Sequence, residues 1–358
     1  MENKVIESAL GKIEHSAAKL KNEFPHIAVD GNWRTTRDGC WSGGFWAGLL
    51  WLSHGITNDA KFIQGAYKWT KLLEKRKSDR TFDLGFLFYP SFVLGYRVTN
   101  DNYFRKTALE AANVLVTLFH ESSNFIYNDA VVNENKVGRT IVDVMMNLPL
   151  LWWAYEETDD EKYYKVAYKH SDQTIKEFVR NDDSTIQAID FDLKSGKIIS
   201  KFSLQGYSDD SCWARGQAWA IYGFTLAYET SGDKRFLETA ENLADYFIQN
   251  LPDDYVPYWD FHDPKIPDTI KDTSAAAITS SALLTLSQLS NKEKFKEIAL
   301  KMLNSLSSNY LAEKSNSILK QGCYHKKNKD LIWGDYYFIE ALVKAGNEIR
   351  KFKTATYG

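Results

Sequence analysis

Cysteine is scarce in this chain. Cys40, Cys212 and Cys323 are odd in number, far apart and free of any CxxC pairing. That excludes a disulfide framework and points to a reducing compartment. A charge excess is also missing: the net charge of −3 gives no attraction to nucleic acid or to a membrane surface. No apolar run approaches the roughly 18 residues of a membrane span. The opening stretch MENKVIESALGKIEHSAAKLKNE is a charged amphipathic helix, not a secretory signal. The seven histidines show no HxxxH spacing, and GxSxG, GxxxxGK[ST] and GxGxxG are absent. A cytoplasmic protein is expected, with no metal or cofactor and no nucleic-acid or membrane partner. It should be a monomer or a weak homo-oligomer.

Aromatics, by contrast, are plentiful: 11 Trp, 20 Tyr and 20 Phe. They suit sugar stacking and a large helical core equally. An aromatic followed four residues later by Ala recurs at Phe62/Ala66, Phe104/Ala108, Tyr163/Ala167, Phe236/Ala240 and Phe295/Ala299. Each pair follows a short polar turn, such as HGITNDAK or ETSGDKR. Before each turn lies a helix apolar all round, such as GGFWAGLLWL or GQAWAIYGFTLAYE; after it comes a Lys/Glu-rich amphipathic helix, such as RFLETAENLADYFI. All-round apolar helices are interior and one-sided helices are exterior. DYYFIEALVKAGNEI supplies a sixth inner helix, and residues 3–21 supply its outer partner. The expectation is an all-α (α/α)6 barrel, a toroid of six hairpins forming one catalytic domain over residues 1–358. The uneven spacing of the pairs excludes a fixed-period solenoid. Residues 183–207 alternate like a β-hairpin around an S-G turn.

An aspartate precedes or opens every inner helix: Asp38, Asp83, Asp143, Asp209 or Asp210, Asp272 and Asp335. Capping explains such residues, because a carboxylate accepts the free amides of a first helical turn. The inner helices of a toroid are parallel, however, so these carboxylates also ring one mouth. Asp83 in RTFDLGFLFYP and Asp143 in RTIVDVMMNLP stand apart. Both have apolar flanks, which raise an acid's pKa, and both precede a proline suited to a helix's first turn. Asn147 is the better cap for its helix, which releases Asp143 for proton donation.

QGYSDDSCWARGQAWAIYG gathers Gln205, Arg215 and Trp219. Arg215 is placed to pair with a substrate carboxylate, with Asp143 or with neighbouring Asp210. Trp33, Trp41, Trp46 and Trp259 are candidates for sugar stacking, although core packing accounts better for Trp46. Ser315, Ser317, Lys320 and Lys326 form a polar, basic cluster that would suit a sulfate or second carboxylate at the rim, or a plain solvated loop.

CWSGGFWAGLLWL, DLGFLFYPSF, GRTIVDVMMNLPLLWWA, QGYSDDSCWARGQAWAIYG, PYWDF with DTSAAAI, and IWGDYYFIEAL together resemble the unsaturated glucuronyl hydrolases, glycoside hydrolase family 88. The resemblance spans residues 40–342. It implies an (α/α)6 barrel without metal. It also implies an unsaturated di- or oligosaccharide substrate whose 4,5-unsaturated uronic acid is removed by hydrating C4=C5. The aspartate matching Asp143 would protonate C4 and then assist water at C5. The one matching Asp83 would hold the sugar hydroxyls. Trp41, Gln205, Arg215, Trp219, Tyr336, Ser317 and Lys320 are the expected substrate contacts. The chain departs from the family where Phe82, Leu204 and the region of Gln187 replace histidines, and where Tyr127 stands in place of a tryptophan. Unsaturated rhamnogalacturonyl hydrolases are a second reading. A sugar epimerase or a non-enzymatic helical scaffold is a weaker one.

Overall fold

The computed structural model describes residues 2–129, 132 and 136–346. Its inner helices are α2 (Gly43–Thr57), α4 (Leu84–Phe88) continued by α5 (Leu94–Thr99), α7 (Pro149–Thr158), α9 (Ala214–Ser231), α11 (Thr273–Ser290) and α13 (Ile332–Ala345). The outer helices are α1 (Glu2–Lys19), α3 (Ala60–Leu73), α6 (Asn102–Thr117), α8 (Glu161–Phe178), α10 (Lys234–Gln249) and α12 (Glu293–Asn309). Residues 347–349, expected to extend the last inner helix, lie outside the described residues.

Contacts run from α2 to α4, α7, α9, α11 and α13, and from α13 back to α2. Along this circuit, α3, α8, α10 and α12 pack on α2, α7, α9 and α11, and α6 packs on α5 and α7. The recurring aromatic/Ala pairs are the inward stripe of the outer helices, and all ten residues are buried. Helix α1, expected beside the last inner helix, packs on α2. It also reaches a rim loop, where the Lys12 ammonium donates to the Ala312, Ser315 and Ser317 carbonyls.

The aspartate caps are found on the outer helices. Asp59, Asp101, Asp160 and Asp233 each accept the amide two residues on, at 2.9 to 3.1 Å. Among the mouth aspartates only Asp272 caps its helix, accepting from Ser274 N and Ala275 N. Asp38 binds Cys40 N and Arg76, Asp209 binds Ser203 N, and Asp335 binds the 317–319 loop. The prolines divide as well. Pro149 opens α7, but Pro90 lies inside an inner helix, where the run 84–99 widens into a π-turn at Tyr89–Val93. A ring nitrogen without a hydrogen cannot sustain the regular α ladder.

Short strands decorate the mouth. β1 (Phe24–Val29) and β2 (Asn32–Thr36) join β8 (Gly322–Tyr324) and β9 (Lys327–Leu331) in the order β2-β1-β9-β8. β3 (Phe119–His120) pairs with β4 (Phe125–Ile126). β5 (Val137–Ile141), β6 (Ala188–Asp192) and β7 (Ile198–Phe202) form an antiparallel sheet, so the expected hairpin at 183–207 is present with a third strand added.

Candidate active site

Asp143 sits in a 3-10 turn, Val142–Met146, between β5 and α7. It is 8 % exposed, and its Oδ1 has no hydrogen-bond partner among the described residues. Burial pushes its pKa up to about 7, against the pull of Arg215 and with a further push from Asp83. The Trp219 indole N–H lies beside the carboxyl and favours its charged form, although the contact is looser than a formed hydrogen bond.

Asp83 is half-buried at the start of α4, and its side chain does not cap that helix. Thr81 Oγ1 stands 3.1 Å from Asp83 Oδ2. Burial raises its pKa to about 6, against Thr81 and Arg76. The two acid-bearing turns touch through backbone. A Cβ on Gly85 would lie 2.2 Å from Asn147 Cα, so only glycine allows this approach. Across the turn, a Cβ on Gly223 of α9 would meet Met145 Cβ at 2.5 Å. Asn147, expected to cap α7, instead accepts Phe86 N at 2.7 Å and donates to Asp143 O at 3.3 Å. It caps the neighbouring helix, the one that carries Asp83.

Arg215 is 2 % exposed in the first turn of α9. Its guanidinium is paired with Asp272, donates to Cys323 O at 2.7 Å and to Gln205 Oε1 at 3.0 Å, and lies 4.5 Å from the Trp213 ring. Asp272, not Asp210, is therefore its carboxylate partner. The arginine ties α9, α11, β8 and the 205–211 loop together, and its charge reaches Asp143 through space.

Several expected sugar contacts prove to be interior. Trp219 is wholly buried, 5.1 Å from the Phe86 ring, so it is a wall behind Asp143 and no stacking platform. Tyr336 is buried with its hydroxyl on Glu340, beside a small cavity of about 20 Å³. Ser317 is wholly buried because its hydroxyl serves Asp335 at 2.8 Å. Lys320 is half-buried, and only its main chain is engaged, by Tyr310 and Thr273. Trp46 is packed, whereas Trp33 is half-buried with its indole N–H on Ser16.

At the mouth stand half-buried Trp41, 4.6 Å from the Trp333 ring, and Gln205. Sequence reasoning missed two residues there. Tyr324 packs on His26 and Trp333, with its hydroxyl beside Trp41 and within the field of Asp83 and Arg215. Asp260, buried, accepts Tyr207 N at 2.8 Å and Ser211 Oγ at 2.7 Å on one oxygen and His262 N at 2.9 Å on the other. Its place in PYWDF was the only signal. Gln187 Oε1 gathers Ser203 Oγ, Leu204 N and Gln205 N. Of the other departures from the family, Phe82 is buried, Leu204 is 49 % exposed, and Tyr127 packs on His120 and Phe191.

Beyond the acids, a groove of about 640 Å³ is lined by Tyr207, Trp259, Lys265, Gln321, Lys326 and Asn328, among others. The Lys326 ammonium is 5.7 Å from the Trp259 ring centre. Among the described residues no three of His, Cys, Asp and Glu come together as a metal-binding group. No helix described is long and apolar enough to cross a membrane.

The family model of Glycosyl Hydrolase Family 88 matches residues 8–347. The unsaturated glucuronyl hydrolase of Formosa agariphila is 38% identical over 324 residues, covering 87% of this chain and 81% of that one. The unsaturated chondroitin disaccharide hydrolase of Streptococcus pneumoniae is 32% identical over 357 residues, covering 95% and 90%. The crystal structure of unsaturated glucuronyl hydrolase from Bacillus sp. GL1, described as responsible for the degradation of glycosaminoglycan, superposes with a TM-score of 0.93 at 34% identity, covering 97% of each chain.

Proposed function

Since this chain belongs to glycosyl hydrolase family 88, we propose that it removes a 4,5-unsaturated uronic acid from the non-reducing end of lyase-generated oligosaccharides. The observation that carries the reading is Asp143: a nearly buried acid, still protonated near neutrality, beside a second, half-buried acid at the mouth. The closed circuit of inner helices, with helices packed outside it, supports a single (α/α)6 barrel over residues 1–358.

The reaction begins with proton transfer from Asp143 to C4, which leaves cationic character at C5. The resulting carboxylate takes a proton from water as the water oxygen bonds to C5. The hemiketal so formed opens to the ketone, and the C1 linkage then collapses and releases the neighbouring sugar. Asp143 ends protonated, so no net proton and no cofactor are consumed. Asp83, the more acidic of the two, is the ionised partner. It accepts sugar hydroxyls, and its charge keeps the proton on Asp143. Trp41 stacks on the ring, Gln205 hydrogen-bonds it, and Arg215 and Trp219 stabilise the transient Asp143 carboxylate. Trp259, Tyr207 and Lys326 line the groove for the neighbouring sugar, where Lys326 and Lys320 suit an acidic substituent. The three free cysteines support action in a reducing cytoplasm.

The test is an ultraviolet assay with unsaturated disaccharides from chondroitin, hyaluronan, heparin, gellan, ulvan and pectin. Loss of the conjugated C4=C5 absorbance is expected with at least one. Turnover of the pectin product alone would favour the rhamnogalacturonyl reading. No loss with any of them between pH 5 and 8 would overturn the assignment.

A further inference from the structure

Gln187 stands where three chain segments meet. It immediately precedes β6, and its main-chain carbonyl accepts Val142 N at 2.9 Å, so it adjoins the turn that carries Asp143. Its side chain is 4 % exposed. The side-chain oxygen accepts Ser203 Oγ at 2.9 Å, Leu204 N at 2.8 Å and Gln205 N at 2.6 Å. Two of these donors are backbone amides, which only a carbonyl oxygen can satisfy, so chemistry fixes the orientation of the amide. The Nε2 group therefore faces away from that loop. It is buried, and it has no hydrogen-bond partner among the described residues.

The acid presents the complement. Asp143 Oδ1 is a buried acceptor, likewise without a partner among the described residues. The unmatched donor thus lies on the residue whose carbonyl accepts Val142 N, and the unmatched acceptor on the residue that follows Val142. In the mechanism proposed above, Asp143 becomes a carboxylate within an apolar wall, and a nearby amide hydrogen is what such an anion lacks. The same glutamine sets the main chain of Gln205, whose side-chain oxygen receives Arg215 at 3.0 Å.

We infer that Gln187 is a positioning residue that ties the acid-bearing turn to the 203–205 loop and donates its free amide hydrogen to Asp143 once that acid is ionised. The inference rests on the reaction proposed above. The charged groups facing Asp143 are Arg215 from α9 and Asp83 from the start of α4. Gln187 adds a neutral dipole whose effect is separable from theirs.

Gln187→Glu keeps an oxygen for the three loop donors and replaces the amide hydrogens with a second oxygen. Gln187→Leu removes both functions. The decisive reading is the titration of Asp143 by carboxyl ¹³C NMR in aspartate-labelled free protein, its signal identified by loss in Asp143→Asn. Gln187→Glu should raise the midpoint by about one pH unit or more. Its kcat should fall by about tenfold or more with KM nearly unchanged, and the alkaline limb of its pH profile should move up with the NMR midpoint. Gln187→Leu should also raise KM, because the Gln205 loop loses its anchor. An unchanged Asp143 midpoint in Gln187→Glu would overturn the inference, whether or not Gln187→Leu folds. Absence of wild-type turnover on the saccharide panel would sink the proposed reaction instead, and the NMR titration would still decide the role of Gln187.

Discussion

Asn147 Oδ1 accepts the amide hydrogen of Phe86 at 2.7 Å, across 61 residues of sequence. One side chain thereby fastens the turn carrying Asp143 to the helix opened by Asp83. Asn147→Ala leaves a buried amide unmet, at a cost of about 1–3 kcal/mol. Urea denaturation should show that loss, and kcat should fall with it as the two acids lose register. A variant with wild-type stability and kcat would contradict the account.

Asp143→Asn should lower kcat by about 10²-fold or more while circular dichroism stays native. It should also alter stability in a pH-dependent way. The folded pKa, about 7, lies above the ordinary carboxylate value. Folding therefore favours the protonated acid, and wild-type stability from this group falls as pH rises from about 4 to 7. The asparagine variant lacks that loss. Relative to wild type it should gain about 1 kcal/mol per pH unit over that window and nothing further above it. Parallel denaturation series at pH 4 and 8 check the sign.

The proposed reaction needs Asp83 charged and Asp143 protonated. Their pKa values of about 6 and about 7 leave a narrow bell for kcat/KM in weakly acidic solution. The limbs belong to the coupled pair, not to either acid alone. Asp83→Asn should abolish the acidic limb and move the alkaline limb downward, because the charge that raises Asp143 is gone. An alkaline limb that moves upward would refute the coupling.

Asp272 answers a buried guanidinium and caps α11 with its other oxygen. Asp272→Ala strands Arg215 without a counter-charge, at a cost of about 3–5 kcal/mol. Thermal unfolding should drop accordingly, and residual activity should show a raised KM as Gln205 loses its fixed donor.

The helical frame was legible because burial follows periodicity: GGFWAGLLWL reads as interior and RFLETAENLADYFI as one-sided. The acids were legible because a lone carboxylate among IVDVMM has few roles. Depth was not legible. Ser317 looks like a rim residue in SNSILK, yet its hydroxyl is consumed by Asp335, an acid 18 residues on. Trp219 looks like a substrate contact but is wholly buried, and a linear string does not carry depth. Cap assignment failed for a related reason. Asp59 and Asp83 both precede helices, and only the fold shows that Asp59 turns to its own first amides while Asp83 turns to Thr81. Asn147 capping a distant helix and Asp260 bracing the 205–211 loop are long-range pairings that local pattern cannot express.

The glycines flanking the acid turn carry one more implication. Where Gly85 meets Asn147 and Gly223 meets Met145, the wall around Asp143 has no room for another atom. Heritable variation there is closed off, because any new side chain pushes backbone against backbone. Room for change lies instead at groove residues such as Tyr207, Lys265, Gln321, Lys326 and Asn328. A change of substrate can therefore be sought at the rim, without disturbing the packing that holds the acids.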